Sequence, residues 1–184
     1  MIVLYVLLAL AVIVALWAIA VYNGLVKLRE NVKNGWSQID VQLKRRHDLI
    51  PNLVETAKGY MSHEKDTLEK VIKARQQAIS ADSLQNKAQA ENFLTNTLRS
   101  LFAVSERYPD LKADRQMLQL HEELVSTENK ISFARQYYND EVNRLNTAVQ
   151  TFPDSVVANA FAFKKADFFE IEDASEKKAP QVKF

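Results

Sequence analysis

The sequence predicts an all-α protein: an N-terminal transmembrane helix, then an elongated antiparallel bundle of three long helices and one short one. Three observations predict it. Residues Ile2 to Tyr22 carry no charge and are almost wholly apolar. Beyond them, apolar residues recur at steps of three and four, the period of an amphipathic helix. Helix breakers are scarce: the three glycines are Gly24, Gly35 and Gly59, and the prolines are Pro51, Pro109, Pro153 and Pro180. So few breakers over this length favour long helices over a sheet. The chain accordingly divides into an anchor over residues 1–24, a bundle over 25–169, and a charged tail over 170–184 that is expected to be mobile.

Composition narrows the function. Lys and Arg number 24 against 23 Asp and Glu, so no net field recruits nucleic acid or acidic substrates. The chain has no cysteine. That excludes disulfides, thiolate metal sites, a cysteine nucleophile and a lipid-modified N-terminal cysteine. It leaves the compartment open, because reducing and oxidising spaces both tolerate a Cys-free chain.

The anchor comes first. About 20 apolar residues match a bilayer core of about 30 Å. Trp17 and Tyr22 lie towards its downstream end, where amphipathic rings prefer the interface. Ala18-Ile19-Ala20 resembles a signal-peptide cleavage site. No basic segment precedes the apolar run, however, and the run is long for a signal peptide, so a retained anchor is favoured. Downstream, Lys27, Arg29 and Lys33 face only Glu30. The positive-inside rule then puts the body in the cytoplasm and the N-terminus outside.

The first body helix is read as one run from Leu25 past Ile79, roughly 80 Å at about 1.5 Å per residue. Its stripe is Leu25, Leu28, Val32, Trp36, Ile39, Leu43, Arg46, Ile50, Leu53, Val54, Ala57, Met61, Glu64, Leu68, Val71, Ile72, Arg75 and Ile79. The phase survives Pro51, so the proline is expected to kink the helix and not end it. Asp82 or Ser83 can cap a second helix carrying Leu84, Ala88, Phe93, Leu94, Leu98, Leu101, Phe102, Ser105 and Tyr108. Pro109 stops it. A third helix spans about Leu111 to Thr151. Its near-heptad stripe runs from Ala113 through Met117, Leu124, Ile131, Tyr138 and Leu145 to Phe152, which argues for coiled-coil-like packing. A weaker stripe of Leu111, Leu118 and Val125 lies across from it. That stripe either packs the remaining helix or meets another molecule. A short helix over Ser155 to Asn159 follows Pro153. Phe161, Phe163, Phe168 and Phe169 are then expected to cover the end of the bundle.

Catalytic signals are absent from this pattern. The histidines, His47, His63 and His121, are each followed by an acid, but Thr67 and Val125 stand where a zinc hydrolase needs its second histidine. All three read as solvated. No phosphate-binding or nucleophile-elbow glycine motif occurs. Lys44-Arg45-Arg46 reads as a solvated patch too far from the membrane for headgroups. Arg46 differs, because it sits on the apolar stripe, with Glu64 and Arg75 at similar angles. Buried charges persist only when paired. The third helix offers Glu123, Glu128, Arg135 and Glu141 nearby. Register-fixing ion pairs, or long side chains snorkelling from the edge of the stripe, are the simpler reading; a polar site for a ligand or partner, built on Arg46, Glu64 and Arg75, is the other.

At these residues the chain resembles the LemA family of bacterial membrane proteins. The resemblance covers nearly the whole length. It rests on Trp36 to Val54 (WSQIDVQLKRRHDLIPNLV), Gly59-Tyr60 with His63-Glu64, Ala103 to Leu111 (AVSERYPDL), Thr127 to Asp140 (TENKISFARQYYND), and Phe168-Phe169-Glu170-Ile171. It implies one membrane span, an antiparallel bundle and a place in the bacterial cell (inner) membrane. It implies no catalytic residue, metal or cofactor. The expected function is therefore a membrane-anchored, non-enzymatic scaffold or adaptor of the cell envelope. Its expected partners are the bilayer through Ile2 to Tyr22, further copies of itself and an unidentified envelope protein. The alternative is a ligand-binding or enzymatic bundle using Arg46, Glu64 and Arg75.

Overall fold

The computed structural model describes residues 1–169; the expected tail over 170–184 lies outside them. Among the described residues the chain is all-helical: α1 (Ile2–Lys58), α2 (Lys65–Ser80), α3 (Leu84–Ser105), α4 (Pro109–Ala113), α5 (Arg115–Ala148) and α6 (Asp154–Ala160). They form two compact units. The first holds residues 1–41 and 131–168; the second holds 42–130 together with Phe169.

In the first unit, α1 begins with the uncharged stretch and runs through Gly24 without a break. The stretch is long and apolar enough to cross a membrane. After it the expected stripe turns inward: Leu25, Val32 and Ile39 are buried, as are Ile131, Ala134, Tyr138, Val142 and Leu145 of α5 and Val149 just beyond it. The two helices approach closest at Gly35, where an added Cβ would lie 3.1 Å from the Tyr138 Cα. The Trp36 and Tyr138 rings meet edge-on at 5.9 Å, and Asn31 Nδ2 donates to Glu141 Oε2 at 2.9 Å. Numbers rising along α1 against numbers falling along α5 make the pair antiparallel. Residues beyond α6 return along α5. Tyr138 Oη donates to the Asp167 carbonyl at 2.8 Å, and the Asn146 amide brackets Ala166, giving to its carbonyl and taking from its N–H. The Phe152–Pro153 peptide before α6 is cis.

The second unit is built from the end of α1, from α2, α3 and α4, and from the start of α5. Its core joins Ile50, Leu53, Val54 and Ala57 of α1 to Leu68 and Val71 of α2, Leu94, Leu98 and Leu101 of α3, and Met117, Leu120 and Leu124 of α5. Each fully buried Leu or Ile contributes about 1.5–3 kcal/mol relative to exposure. Ser83 caps α3 as expected, its hydroxyl accepting from the Asn86 N–H at 3.1 Å.

The expected run from Leu25 past Ile79 divides. Helix α1 ends at Lys58, and the chain turns through Gly59–Glu64 before α2. The antiparallel return shows in Arg75 of α2 reaching His47 of α1. Met61, on the predicted stripe, instead plugs the turn and is fully buried. The turn resets the helical phase. Leu68 and Val71 stay inside, but Ile72 and Ile79 come out, and Ala74 and Ala78 take their places. Small residues there allow the close packing of α2 on its neighbours.

The expected third helix also divides, at Asp114, whose carboxylate accepts from the Met117 N–H at 2.9 Å and starts α5. Among the described residues six helices therefore stand where three long and one short were expected. The weaker stripe splits with them: Leu111 of α4 is buried, while Leu118 and Val125 are about half exposed. Phe152 at the end of the main stripe is exposed. Of the four late phenylalanines, Phe169 is buried and Phe161 and Phe168 are exposed. The Phe161 and Phe163 rings lie 4.8 and 5.7 Å from Tyr22 of α1.

Candidate functional site

The second unit encloses a cluster of ionisable side chains. Arg46 occupies the α1 stripe between Leu43 and Ile50 and is 3% exposed. Its Nη1 lies 3.5 Å from Glu91 Oε2 and 3.0 Å from Glu128 Oε2. These are ion pairs without hydrogen-bond geometry, since neither carboxylate oxygen has a hydrogen-bonding partner. Arg46 Nη2 donates to Thr95 Oγ1 at 2.7 Å, and that hydroxyl donates on to the Glu91 carbonyl at 3.0 Å. His47 Nε2 meets the other Glu91 oxygen at 2.7 Å. Glu91, 1% exposed, is thus held between an imidazole and a guanidinium. A carboxylate this deep persists only with such partners.

Arg75 acts on the same turn of α1 for a different reason. Pro51 has no N–H, so the carbonyl four residues earlier, that of His47, loses its helical partner. Arg75 Nε supplies the missing donor at 2.7 Å. An unpaired backbone carbonyl in a packed helix is costly. This replacement explains how α1 carries Pro51 in its interior and keeps its apolar phase.

The structure brings together two of the three expected site residues. Arg46 and Arg75 converge on one turn of α1. Glu64 does not join them. It sits at the start of α2 and accepts from Arg107 Nη2 at 3.0 Å and Tyr108 Oη at 3.2 Å, tying the start of α2 to the turn between α3 and α4. The turn at Gly59 causes this, because Glu64 no longer continues the α1 phase. Among the partners anticipated for Arg46, Glu128 is one. Glu123 lies 3.8 Å from exposed Arg45 instead. Glu141 and Arg135 belong to the first unit, where Glu141 holds Asn31 and Arg144.

Glu91 and His47 were missed. The reading of His47 as solvated is corrected: it is 8% exposed. The signal existed, because His47 stands four after Leu43 and three before Ile50. Glu91 likewise stands three after Ala88 and three before Leu94. The sequence stripe passed through Phe93 instead, which is half exposed. His63 and His121 are exposed as expected, the latter with its ring 4.2 Å from Phe102.

A cavity of about 290 Å³ opens beside Arg46, Thr95 and Glu128, with Leu98, Phe102 and Leu124 as its apolar wall. That is close to the lower end of ligand-pocket volumes, about 300 Å³. Among the described residues no group of three or more His, Asp or Glu could hold a metal ion. Chemically, the cluster presents a guanidinium already shared by two carboxylates, beside a small apolar recess.

Several known proteins are similar to this chain in sequence. A curated LemA protein from Metamycoplasma hominis is 24% identical over 82% of this chain and 69% of its own length. Magnetosome protein MamQ 2 of Paramagnetospirillum magneticum and magnetosome protein MamQ of Magnetospirillum gryphiswaldense are each 23% identical over 84% of this chain. The chain spans 66% of the length of each of these two. With the apolar start of α1, these relatives suggest a membrane-associated protein. The LemA family model matches residues 35–184, more than half of the sequence, so the chain belongs to the LemA family.

Proposed function

We propose that the chain is a single-pass membrane scaffold or adaptor of the bacterial cell envelope, acting through contacts with other proteins or with copies of itself. The observation that carries this reading is α1. One helix runs without a break from the uncharged Ile2–Tyr22 stretch into the core of the first unit. A body joined to its anchor by a continuous helix is held more rigidly than one on a flexible linker. Lys27, Arg29 and Lys33 support a cytoplasmic body and an outward N-terminus in the inner membrane. Leu118 and Val125, half exposed on α5, offer apolar surface to a second copy. Confinement to a membrane raises the effective concentration of such copies.

Cross-linking in native membranes, followed by purification, tests the reading. Discrete adducts to the chain itself or to a specific envelope protein are expected. In detergent, light scattering should give a mass above the monomer, reduced by Leu118→Glu with helicity retained. A monomer without adducts at every concentration would count against a scaffold. Protease digestion from the outer side, sparing the body, tests the orientation.

A second reading keeps Arg46 as a ligand site, favoured by the cavity beside it. It replaces the expected Arg46, Glu64 and Arg75 line with Arg46, Thr95 and Glu128. Native mass spectrometry discriminates: a bound small molecule lost in Leu124→Trp, which fills the recess, would favour it over the scaffold.

A further inference from the structure

The first unit leaves large apolar side chains uncovered where the uncharged span ends. Phe152 is 83% exposed, Phe161 60% and Val156 55%, all around α6. Their level along α1 follows from the antiparallel register. Tyr138 faces Gly35, and Glu141 faces Asn31. Continuing residue for residue puts Ala148, where α5 ends, beside Gly24, and Phe152 lies in the turn that follows. Independent contacts agree. Ala148 and Asp154 line one cleft with Ala20, Val21 and Gly24. The Phe161 and Phe163 rings pack on Tyr22.

That level is the edge of the bilayer if Ile2 to Tyr22 spans it, since this run rises about 31 Å against a hydrocarbon thickness of about 30 Å. Exposed phenylalanines are costly in water, whereas an interfacial element buries such side chains at the boundary of headgroups and acyl chains. The charges grade the same way. The cleft, about 630 Å³, is apolar at Ala20, Val21 and Leu25 and basic further on at Lys27 and Arg144, with Asp154 of α6 also in its lining. Arg29 lies over the Phe163 ring at 5.4 Å, and exposed Lys164 and Lys165 follow it. Aromatic residues flanked by cations are the composition of an interfacial lipid contact.

We propose that the turn before α6, α6 itself and the Phe161–Phe163 segment form a second membrane contact that lies in the lipid headgroup region beside the anchor. This rests on the proposal that Ile2 to Tyr22 spans the membrane. The contact fixes the tilt of α1 where it leaves the bilayer, and the cleft takes lipid headgroups that the protein does not cover.

Because the chain has no cysteine, single cysteines can be labelled cleanly. Full-length Val12→Cys, Phe152→Cys, Val156→Cys and Phe133→Cys would each carry a small fluorophore. Each would be reconstituted in vesicles of phosphatidylethanolamine and phosphatidylglycerol holding nitroxide lipids, the nitroxide placed shallow or deep. All four sites are exposed, so the labels displace no core contact. The control Phe133 lies level with Asp40 by the Tyr138–Gly35 register, about 27 Å along α1 from Tyr22. Labels at 152 and 156 should lose emission to the shallow nitroxide more than to the deep one. The label at 12 should show the reverse, and that at 133 should lose little to either. Labels at 152 and 156 behaving like 133, with 12 still quenched deeply, would overturn the contact and leave the span standing. No deep quenching at 12 would overturn the span and the contact with it.

Discussion

The coupling of Pro51 to Arg75 makes the sharpest test of how α1 survives a proline in its interior. If Arg75 Nε is the replacement donor for the His47 carbonyl, its worth depends on the proline being there. Arg75→Met keeps the stem of the side chain and removes the donor. Leaving a buried carbonyl unsatisfied costs about 1–3 kcal/mol. The bond is only part-buried, so about 1–2 kcal/mol is expected. For a chain of this length that lowers the melting midpoint by roughly 2–8 °C. Pro51→Ala restores a backbone N–H to the same carbonyl and removes the ring clash, so it should stabilise the helix. In the Pro51→Ala background, Arg75→Met should then cost under about 0.5 kcal/mol, giving a coupling of about 0.5–2 kcal/mol. Thermal melts of full-length protein in detergent, followed by far-UV circular dichroism, supply all four corners of this cycle. Equal losses in the two backgrounds would refute the mechanism and reduce Arg75 to an ordinary packing residue.

Three further outcomes follow from other contacts. Arg46→Ala strands Glu91 beside His47 and should cost about 3–5 kcal/mol in the same melts, whereas Arg45→Ala, half exposed and 3.8 Å from Glu123, should cost under about 0.5 kcal/mol; indistinguishable midpoints would mean Arg46 is hydrated. Gly35→Leu puts a side chain where even a Cβ would sit 3.1 Å from the Tyr138 backbone, so α1 and α5 must separate, at about 1–3 kcal/mol; an unchanged midpoint would contradict the close approach. Asp114 is held below its ordinary value of 3.8, chiefly by the Met117 N–H and also by the Tyr60 hydroxyl and the Gln116 N–H, against opposing burial. A lowered folded-state pKa gives stability that is present above the unfolded value and lost as the pH falls through the folded one. Asp114→Asn keeps an oxygen acceptor for the cap but cannot titrate. Its midpoint should therefore fall less than that of the parent in acid, and parallel pH profiles would exclude Asp114 as a contributor.

The sequence by itself determined the helical class, the apolar span and most of the buried face. Leu25, Val32, Ile39, Leu43, Ile50, Leu53, Val54 and Ala57 lie on the buried face of α1, and Met117, Leu124, Ile131, Tyr138 and Leu145 on that of α5, because the three-and-four step is a local property that geometry turns directly into a face. Arg46 was legible as a buried charge for the same reason. Other features were not local. Gly59 and Asp114 each interrupt a pattern that continues apolar beyond them. Whether the chain turns there depends on what the next helix can pack against, and that shifted Ile72 and Ile79 outward and removed Glu64 from the site. The partners of Arg46 come from α3 and α5, and the donor for the His47 carbonyl comes from α2. Periodicity gives the angle of a side chain about its own helix but nothing about which helix faces it. Only the tertiary structure could pair Glu91 with His47 and Arg46, because ion pairs between helices are fixed by packing register, and register is a property of several segments at once.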